Sequence, residues 1–165
     1  MLGQTLVIGR RTNVEWYDIK SLYLPEDVTR VAKQRGRLFI PNAVDYFFIA
    51  KNAFPWQHVP NVVIARNGYD SFLVMTAIQN NVSVIDATST LLAVHQTDAE
   101  GNFAGGNSLR KYSNQRLINK LFNMSLKHHF HKGYTTAATY ETTNLKNKSD
   151  EVSVIVIKRH PRLQY

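Results

Sequence analysis

Cysteine is absent from all 165 residues of this sequence. Disulfide bonds, cysteine-ligated zinc, iron–sulfur clusters and cysteine nucleophiles are therefore excluded. The sequence also has no run that approaches the ~18 consecutive apolar residues of a membrane-spanning helix. Residues 1–11 put a basic pair after a short apolar run, which is the reverse of the order in a secretory signal peptide. We therefore predict neither a signal peptide nor a membrane span.

Acidic residues are scarce, since 12 Asp and Glu stand against 20 Lys and Arg, and the formal net charge is +8. A positive charge of this size attracts phosphate-bearing partners. The basic residues are dispersed in short groups along the chain, whereas a nucleic-acid-binding domain concentrates them and adds a recognisable motif. We interpret most of them as solvated surface and helix C-termini, and we predict no specific nucleic-acid partner.

The pattern of apolar residues predicts alternating strands and helices in one domain of the α/β class. Short runs rich in β-branched and aromatic residues predict strands at 5–8, 44–50, 82–85, 91–94 and 152–157. Apolar residues at helical spacing predict helices at 70–80 and 112–126. Pro25, Glu26 and Asp27 at one end and Gly36 at the other predict a helix at 25–36. Segments 98–107 and 144–150 are polar and are predicted to be connections.

Several short segments follow one another in an order that resembles a known family. They read LVIGRRTNV, RGRLFIPNAVDYFFIAKNAF, ARNGYDSFLV, VIDAT followed by VHQ, and the pair Gly105–Gly106. Together they are similar to the later part of a nucleotide-diphospho-sugar transferase-like domain, the GT-A glycosyltransferase fold. The resemblance spans residues 6–106 and implies a partial GT-A fold, with a mixed sheet in a three-layer α/β arrangement. It also implies sugar transfer from a nucleotide-sugar donor to an acceptor.

The resemblance further implies which part of such an enzyme this chain represents. A GT-A domain has a nucleotide-binding half followed by an acceptor half, and its Asp-x-Asp metal motif precedes the segments matched here. This sequence contains no Asp-x-Asp. We therefore expect residues 1–165 to be a single glycosyltransferase-like domain, the acceptor-side half without the N-terminal nucleotide-binding half. The donor and Mn²⁺ or Mg²⁺ would be bound in the full-length protein, and the chain alone is not expected to transfer sugar.

Asp70 is the candidate catalytic residue. It falls at the start of the predicted helix 70–80, and the resemblance implies that an Asp or Glu at such a position takes the acceptor hydroxyl's proton. The alternative is a helix N-cap, because Asp is among the most favourable N-cap residues. One carboxylate can serve both roles, and the sequence leaves the two open.

The candidate substrate-binding residues are Asp45 at the end of an apolar run, then Arg66, Gly68 and Tyr69 just before Asp70, and Trp56 in a proline-containing loop. Arg66 could bind a diphosphate or a carboxylate through two hydrogen bonds, or it could instead pair with Asp45 or Asp86. Tyr69 and Trp56 could form an apolar platform for a sugar ring, although aromatic residues lie more often in the core.

His95 is the candidate metal ligand, because it follows the predicted strand 91–94 and the resemblance implies a late His near the metal. The alternative is a structural histidine. We predict that Asp45, Arg66, Asp70 and His95 converge in one cleft, since each lies at the end of an apolar run. A second candidate function is a non-catalytic fragment or degenerate paralogue that acts as a binding or structural module.

Overall fold

The computed structural model describes residues 4–64, 66–97, 112–122, 130–146 and 151–159. These ranges form a mixed α/β structure with two mixed sheets, which confirms the predicted α/β class, while the three-layer GT-A arrangement stays a prediction. The strands are β1 (Thr5–Gly9), β2 (Arg11–Glu15), β3 (Arg37–Leu38), β4 (Tyr46–Ile49), β5 (Ser83–Asp86), β6 (Ala93–Thr97), β7 (Tyr140–Lys146) and β8 (Val152–Lys158). The α-helices are α1 (Trp16–Ile19), α2 (Pro25–Arg35), α3 (Tyr69–Gln79) and α4 (Ser113–Phe122). None of the helices in these ranges has the length and apolar character needed to span a bilayer.

The larger sheet has the strand order β4-β1-β5-β7-β8. Strands β1, β5 and β7 are parallel, and the edge strands β4 and β8 pair antiparallel with β1 and β7. The register places Ile8 of β1 beside Asp86 of β5, and Asp86 beside Glu141 of β7. The carboxyl ends of β1 and β5 therefore meet the beginning of β7 at one edge of the sheet.

Helix α3 fills the main core against this larger sheet. Its residues from Ser71 to Ala77 are all buried, and Phe72 packs with Leu6, Ile8 and Val84 of the sheet. A helix that is apolar on every side is typical of a fully enclosed position. The buried helix therefore holds its first turn, which contains Asp70, in a fixed place relative to β1.

The smaller sheet has the order β3-β2-β6 and is covered on one face by α2. Val31 and Ala32 of α2 pack against Val14 of β2. Since successive side chains of a strand point to opposite faces, Arg11 and Asn13 lie on the other face of β2. His95 of β6 pairs in register with Asn13 and shares that face.

The structure confirms most of the predicted elements and corrects several. The connection predicted at 144–150 is wrong for residues 144–146, which belong to β7. Strands β2 and β3 and helix α1 were not predicted. Both β2 (RTNVE) and β7 (YETTNLK) lack an apolar run, because polar residues occupy most of their positions. Strand β6 continues through His95 to Thr97, so His95 lies within the strand rather than after it. Segment 98–107 and residues 123–126 of the predicted third helix lie outside the described residues.

Candidate functional site

The junction between the two sheets lies at the carboxyl end of β1. Arg10 is the single residue between β1 of the larger sheet and β2 of the smaller one. The segments next to β4 and β5 both bind this end of β1. The Asp45 backbone N–H donates to the Gly9 carbonyl (2.9 Å), and the Ala87 N–H donates to the Ile8 carbonyl (2.8 Å). The Arg10 N–H also donates to the Thr88 hydroxyl (3.1 Å). Segments far apart in the sequence are thus fixed around Arg10.

Asp45 is paired with Arg11 on one side of this junction. The Arg11 Nη1 donates to Oδ1 of Asp45 (2.6 Å), and the Arg11 backbone N–H donates to Oδ2 (3.2 Å). Both side chains are largely buried, with 14% of Arg11 and 16% of Asp45 exposed. The Arg11 guanidinium also donates to Asn13 Oδ1 and lies 4.2 Å from the centre of the Phe39 ring. The Asp45 charge is therefore neutralised within the protein.

Asp70 lies in the first turn of α3, but it is not the N-cap. The helix begins at Tyr69, and the cap position is Gly68, whose φ of 92° is left-handed and favours glycine. The N-cap alternative for Asp70 is therefore wrong. Its Oδ2 instead accepts the Val44 backbone N–H (3.2 Å), which joins α3 to the segment before β4.

The environment of Asp70 changes its acidity. Burial raises the pKa of the Asp70 carboxyl, hydrogen bonds from the Val44 and Ser71 backbone N–H groups lower it, and the neighbouring Asp45 charge raises it again. The net effect is a raised pKa, because desolvation is the largest of these influences. A raised carboxyl pKa makes the carboxylate a stronger proton acceptor, which is the direction that general-base catalysis requires.

The other residues of the Gly68–Asp70 region contact protein groups. Tyr69 is half-buried and lies edge-on to Phe47, with ring centres 6.4 Å apart. The Arg66 carbonyl accepts hydrogen bonds from the Tyr69 N–H (3.3 Å) and from the Asn114 side chain (3.2 Å). The two carboxylates considered as partners for the Arg66 side chain, Asp45 and Asp86, pair with Arg11 and Arg159. Substrate contacts by Arg66, Gly68 and Tyr69 stay predictions.

Asn114 of α4 fixes the segment that leads into this region, and sequence analysis did not single it out. Its side chain is completely buried. Oδ1 accepts the Val63 N–H (2.8 Å), while Nδ2 donates to the carbonyls of Val63 (2.7 Å) and Arg66 (3.2 Å). A single amide thereby satisfies three backbone groups of the segment before α3.

We expect Asn114→Ala to lower the free energy of unfolding by about 2–3 kcal/mol, because buried backbone groups lose their partners. Asn144→Ala on the exposed part of β7 is the matched control and should change it by less than about 0.5 kcal/mol. Urea denaturation of both variants measures the difference. Equal stabilities would contradict a structural role for the Asn114 amide.

Trp56 and His95 lie on separate elements. Trp56 belongs to a 3-10 turn (Trp56–His58), is 48% exposed, and has its ring centre 4.5 Å from that of the buried Phe54. An exposed aromatic face held by a buried neighbour is suited to ligand contact.

His95 shares its sheet face with Arg11 and Asn13, and Arg11 connects that face to Asp45.

The metal ion implied by the family resemblance stays a prediction for the full-length protein. Across residues 4–64, 66–97, 112–122, 130–146 and 151–159, no three His, Asp or Glu side chains come close enough together to hold a metal ion. The carboxylates that lie nearest the ends of β1 and β5 are already bound by arginines. We therefore derive no catalytic step through a metal, and the role of His95 stays a prediction.

A cleft of about 1130 Å³ opens on the other side of the junction, and we call it the Arg10 cleft. Its charged and hydroxyl-bearing lining includes Arg10, Asp86, Thr88, Glu141, Lys158 and Arg159. Asp45, Arg66, Asp70 and His95 are not among its lining residues. Asp45 and Asp70 do lie close together, through Val44 and through the effect of the Asp45 charge on Asp70. The structure thus brings these two carboxylates together outside the Arg10 cleft, and the convergence of all four residues in one cleft stays a prediction.

Arg159 joins the two carboxylates of the Arg10 cleft. Its Nη2 donates to Asp86 Oδ2 (2.7 Å), its Nε donates to Glu141 Oε2 (2.7 Å), and its Nη1 donates to the Thr135 carbonyl (2.7 Å). Burial lowers the pKa of the guanidinium, but the bonds to Glu141 and Asp86 outweigh this effect and raise it. The other Asp86 oxygen, Oδ1, accepts both the N–H and the hydroxyl of Thr88. Asp86 is therefore fully engaged by protein donors.

These cleft residues were missed by sequence reasoning for an identifiable reason. The Asp-x-Thr spacing of Asp86 and Thr88 is a local signal for a side-chain-bonded turn and could have been used. Arg159 lies in a basic group that was interpreted as solvated surface. Its partner Asp86 is 73 positions away, so only the strand order could reveal the pair.

Tyr46 packs across Gly9 at the base of the junction. A Cβ atom at Gly9 would overlap the Oη and Cζ atoms of Tyr46. Burial, with a smaller effect from the Asp86 charge, raises the pKa of Tyr46 to about 12. Within the described residues, the buried Tyr46 hydroxyl has no hydrogen-bond partner. Close approach of the ring therefore requires glycine at position 9.

We expect Gly9→Ala to lower the free energy of unfolding by about 1–3 kcal/mol, because the added methyl group displaces the Tyr46 ring. In a Tyr46→Ala background the same Gly9→Ala change should cost less than about 0.5 kcal/mol. Thermal or urea unfolding of the four proteins in this cycle gives the coupling. If the two substitutions were additive, the packing of Tyr46 on Gly9 would not be what requires glycine.

No protein-family model, curated protein or solved structure matches this chain. Its function is therefore inferred from the contacts described above together with the sequence resemblance.

Proposed function

We propose that this chain is the acceptor-side half of a three-layer GT-A-type glycosyltransferase domain. In the full-length protein, a nucleotide-sugar donor would transfer its sugar to an acceptor hydroxyl. One observation carries the proposal. Four segments that resemble the family are held against one another around the end of β1, although they are widely separated in the sequence.

The contacts between these segments are specific. Arg11 of the first segment binds Asp45 of the second (2.6 Å), and Val44 of the second donates to Asp70 of the third (3.2 Å). Thr88, directly after β5, accepts the Arg10 N–H of the first. Residues that share a role at a site must be brought together by the fold, and these contacts do so. The arrangement thus supports a common functional site.

Asp70 would be the general base of the transfer step. Its carboxylate would take the proton of the acceptor hydroxyl while that oxygen forms a bond to the anomeric carbon of the donor. The bond from that carbon to the diphosphate breaks, and a nucleoside diphosphate leaves. The rigid first turn of α3 and the raised pKa of Asp70 support this assignment.

The remaining candidates would bind substrate in this proposal. Trp56 offers a half-exposed ring for stacking on a sugar. Arg66, Gly68 and Tyr69 lie directly before Asp70, and Asp45 adjoins it through Val44. No step of the proposed reaction depends on a metal ligand from the described residues.

A non-catalytic binding module is the second candidate, and a specific observation favours it. The carboxylates of Asp45 and Asp86 are bound by arginines, and the Asp70 carboxylate accepts backbone N–H groups. Carboxylates with all these bonds can serve structure alone. This alternative keeps the same fold and ligand contacts but has no transfer step.

The deciding experiment measures release of nucleoside diphosphate by the full-length protein with a panel of nucleotide-sugar donors, acceptors and Mn²⁺ or Mg²⁺. The proposal requires release that depends on the acceptor and is lost in Asp70→Asn. Asp27→Asn is the matched control, because Asp27 is a partly exposed carboxylate of α2 that pairs with Arg30. If a folded full-length protein releases no nucleoside diphosphate with any donor but still binds saccharide on a glycan array, the binding-module alternative is correct.

A further inference from the structure

The Arg10 cleft combines positive charge with hydroxyl groups, and the functional assignment above leaves it unused. Its cations are Arg10, Lys158 and Arg159, and its carboxylates are Asp86 and Glu141. Arg159 binds both carboxylates, so it and they form a closed ion-pair group. Among three cations and two carboxylates, one positive charge is left over. The cleft therefore carries a net positive charge of one.

Arg10 and Lys158 are the cations that this group does not include, and Arg10 is the less exposed of the two. No ion pair among the described residues involves Arg10, and its Nη1 donates to the Phe39 carbonyl (3.2 Å). Its buried Nε–H has no acceptor within the described part of the chain. A buried guanidinium N–H without an acceptor is costly, because such donors are almost always satisfied in native proteins. The Arg10 charge is therefore not neutralised by a carboxylate of the described residues.

Hydroxyl-bearing residues surround this cation. Thr88 accepts the Arg10 backbone N–H and donates its own proton to Asp86, which fixes the loop after β5. Ser89, Thr136 and Thr139 also line the cleft, and all three are exposed. Hydroxyl groups both donate and accept, so they match the hydroxyls of a polyol. The lining thus combines cationic side chains with several hydroxyl groups.

We propose that the Arg10 cleft binds a hydroxylated ring that carries a single anionic group, which Arg10 holds. Sugar carboxylates and sugar monophosphates share this chemistry. A nucleoside diphosphate carries more negative charge than the net single positive charge of the cleft can match, and it would approach Asp86 and Glu141 closely. The inference does not require sugar transfer, because none of the residues assigned to that step lines this cleft.

The test is titration calorimetry of the purified chain with glucuronate, glucose 6-phosphate, neutral glucose and inorganic phosphate. We expect glucuronate or glucose 6-phosphate to bind at least about 10-fold more tightly than glucose, because a charge-assisted hydrogen bond to a guanidinium is strong. Comparing glucuronate with glucose 6-phosphate shows whether the cleft prefers a carboxylate or a phosphate as the anionic group. Inorganic phosphate should bind more weakly than the preferred charged sugar, since it can contact Arg10 but has no ring hydroxyls for the hydroxyl-bearing residues of the cleft.

Arg10→Met is the principal variant, because methionine keeps an unbranched apolar side chain and removes the charge. This variant should weaken binding of the preferred charged sugar by about 10- to 100-fold and leave the affinity for glucose unchanged. Arg30→Met, on the surface of α2, removes the same charge outside the cleft and should have no effect. Lys158→Gln on the exposed end of β8 should lower the affinity for the charged sugar about 2- to 5-fold. It replaces Arg10→Met as the test variant if Arg10→Met fails to fold.

Three results would overturn the proposal. The first is the absence of binding of both charged sugars at 10 mM, a concentration chosen as on the order of ten times a millimolar Kd. The second is equal affinity for charged and neutral sugars, and the third is unchanged affinity in Arg10→Met or, where that variant is unfolded, in Lys158→Gln. Activity of Asp70→Asn in the full-length protein is a separate readout, so failure here and failure of the proposed transfer function are distinguishable.

Discussion

Arg159→Ala should lower the free energy of unfolding by about 3 kcal/mol or more, because it leaves a buried carboxylate without its cation. The side chain of Asp86 is only 7% exposed, and Arg159 supplies its charged partner. The substitution also removes the donors to Glu141 and to the Thr135 carbonyl. Thr88 remains, but a hydroxyl and a backbone N–H carry no full charge with which to offset that of Asp86.

Two further variants show how much of the Arg159 contribution to stability comes from its charge and how much from its planar hydrogen bonds. Arg159→Lys keeps the charge but cannot reach three acceptors in one plane, so we expect a loss of about 1–2 kcal/mol. Arg30→Ala breaks an exposed ion pair of α2, where 59% of the Arg30 side chain is accessible, and should cost less than about 0.5 kcal/mol. Urea denaturation at neutral pH measures all three. A loss in Arg159→Ala no larger than in Arg30→Ala would mean that Asp86 does not depend on this partner.

The Asp86 cluster also connects the two functional proposals. It fixes Thr88, which in turn accepts the Arg10 N–H at the junction between the sheets. Arg10 lines the cleft, and its neighbour Arg11 binds Asp45 on the opposite side. Stability of the cluster therefore sets the geometry on both sides of β1. Partial unfolding in Arg159→Ala should weaken ligand binding in the Arg10 cleft as well.

Helices and strands of this fold could be predicted from the sequence where one short pattern determines both their type and their ends. Helix α2 begins with Pro25 and ends before Gly36, and the structure confirms both boundaries. Strand β7 could not be predicted in the same way. Its sequence YETTNLK has no apolar run, and it forms a strand because it pairs with β5 and β8. Tertiary pairing overrides a weak local preference in such cases.

The candidate site could be predicted only in part for the same physical reason. Asp70 was expected at the start of a helix, and it does lie in the first turn of α3. Its partner Val44 is 26 positions earlier, and no local pattern indicates that contact. His95 was expected after a strand, but pairing with β2 extends β6 beyond it. Roles that depend on neighbours distant in sequence therefore required the strand order.

Asp70→Asn should separate the catalytic from the structural role of this carboxylate. If Asp70 is the general base, kcat of the full-length protein should fall by a factor on the order of 10² to 10⁴. The free energy of unfolding should change by less than about 1 kcal/mol, because the Asn Oδ1 can still accept the Val44 N–H. Asp70→Ala removes the acceptor as well and should cost about 1–3 kcal/mol of stability.

The raised pKa of Asp70 gives this comparison a defined pH dependence. Because burial raises the pKa above the ordinary value of 3.8, the folded state binds the proton more tightly than the unfolded state. The ionised carboxylate therefore destabilises the folded protein increasingly as the pH rises from 3.8 through the raised value, and the penalty is complete above it. Asn carries no charge, so the stability of Asp70→Asn relative to wild type should increase over the same pH window.

Kinetics and stability measured together decide between the two roles. A purely structural Asp70 predicts that Asn retains full activity while Ala loses stability. A general base predicts loss of activity in both variants, with folding preserved only in Asn. Asp27→Asn on α2 controls for removal of a carboxylate elsewhere and should leave kcat unchanged. Full activity of Asp70→Asn would remove this carboxylate from the mechanism, because an amide cannot accept the acceptor proton at neutral pH.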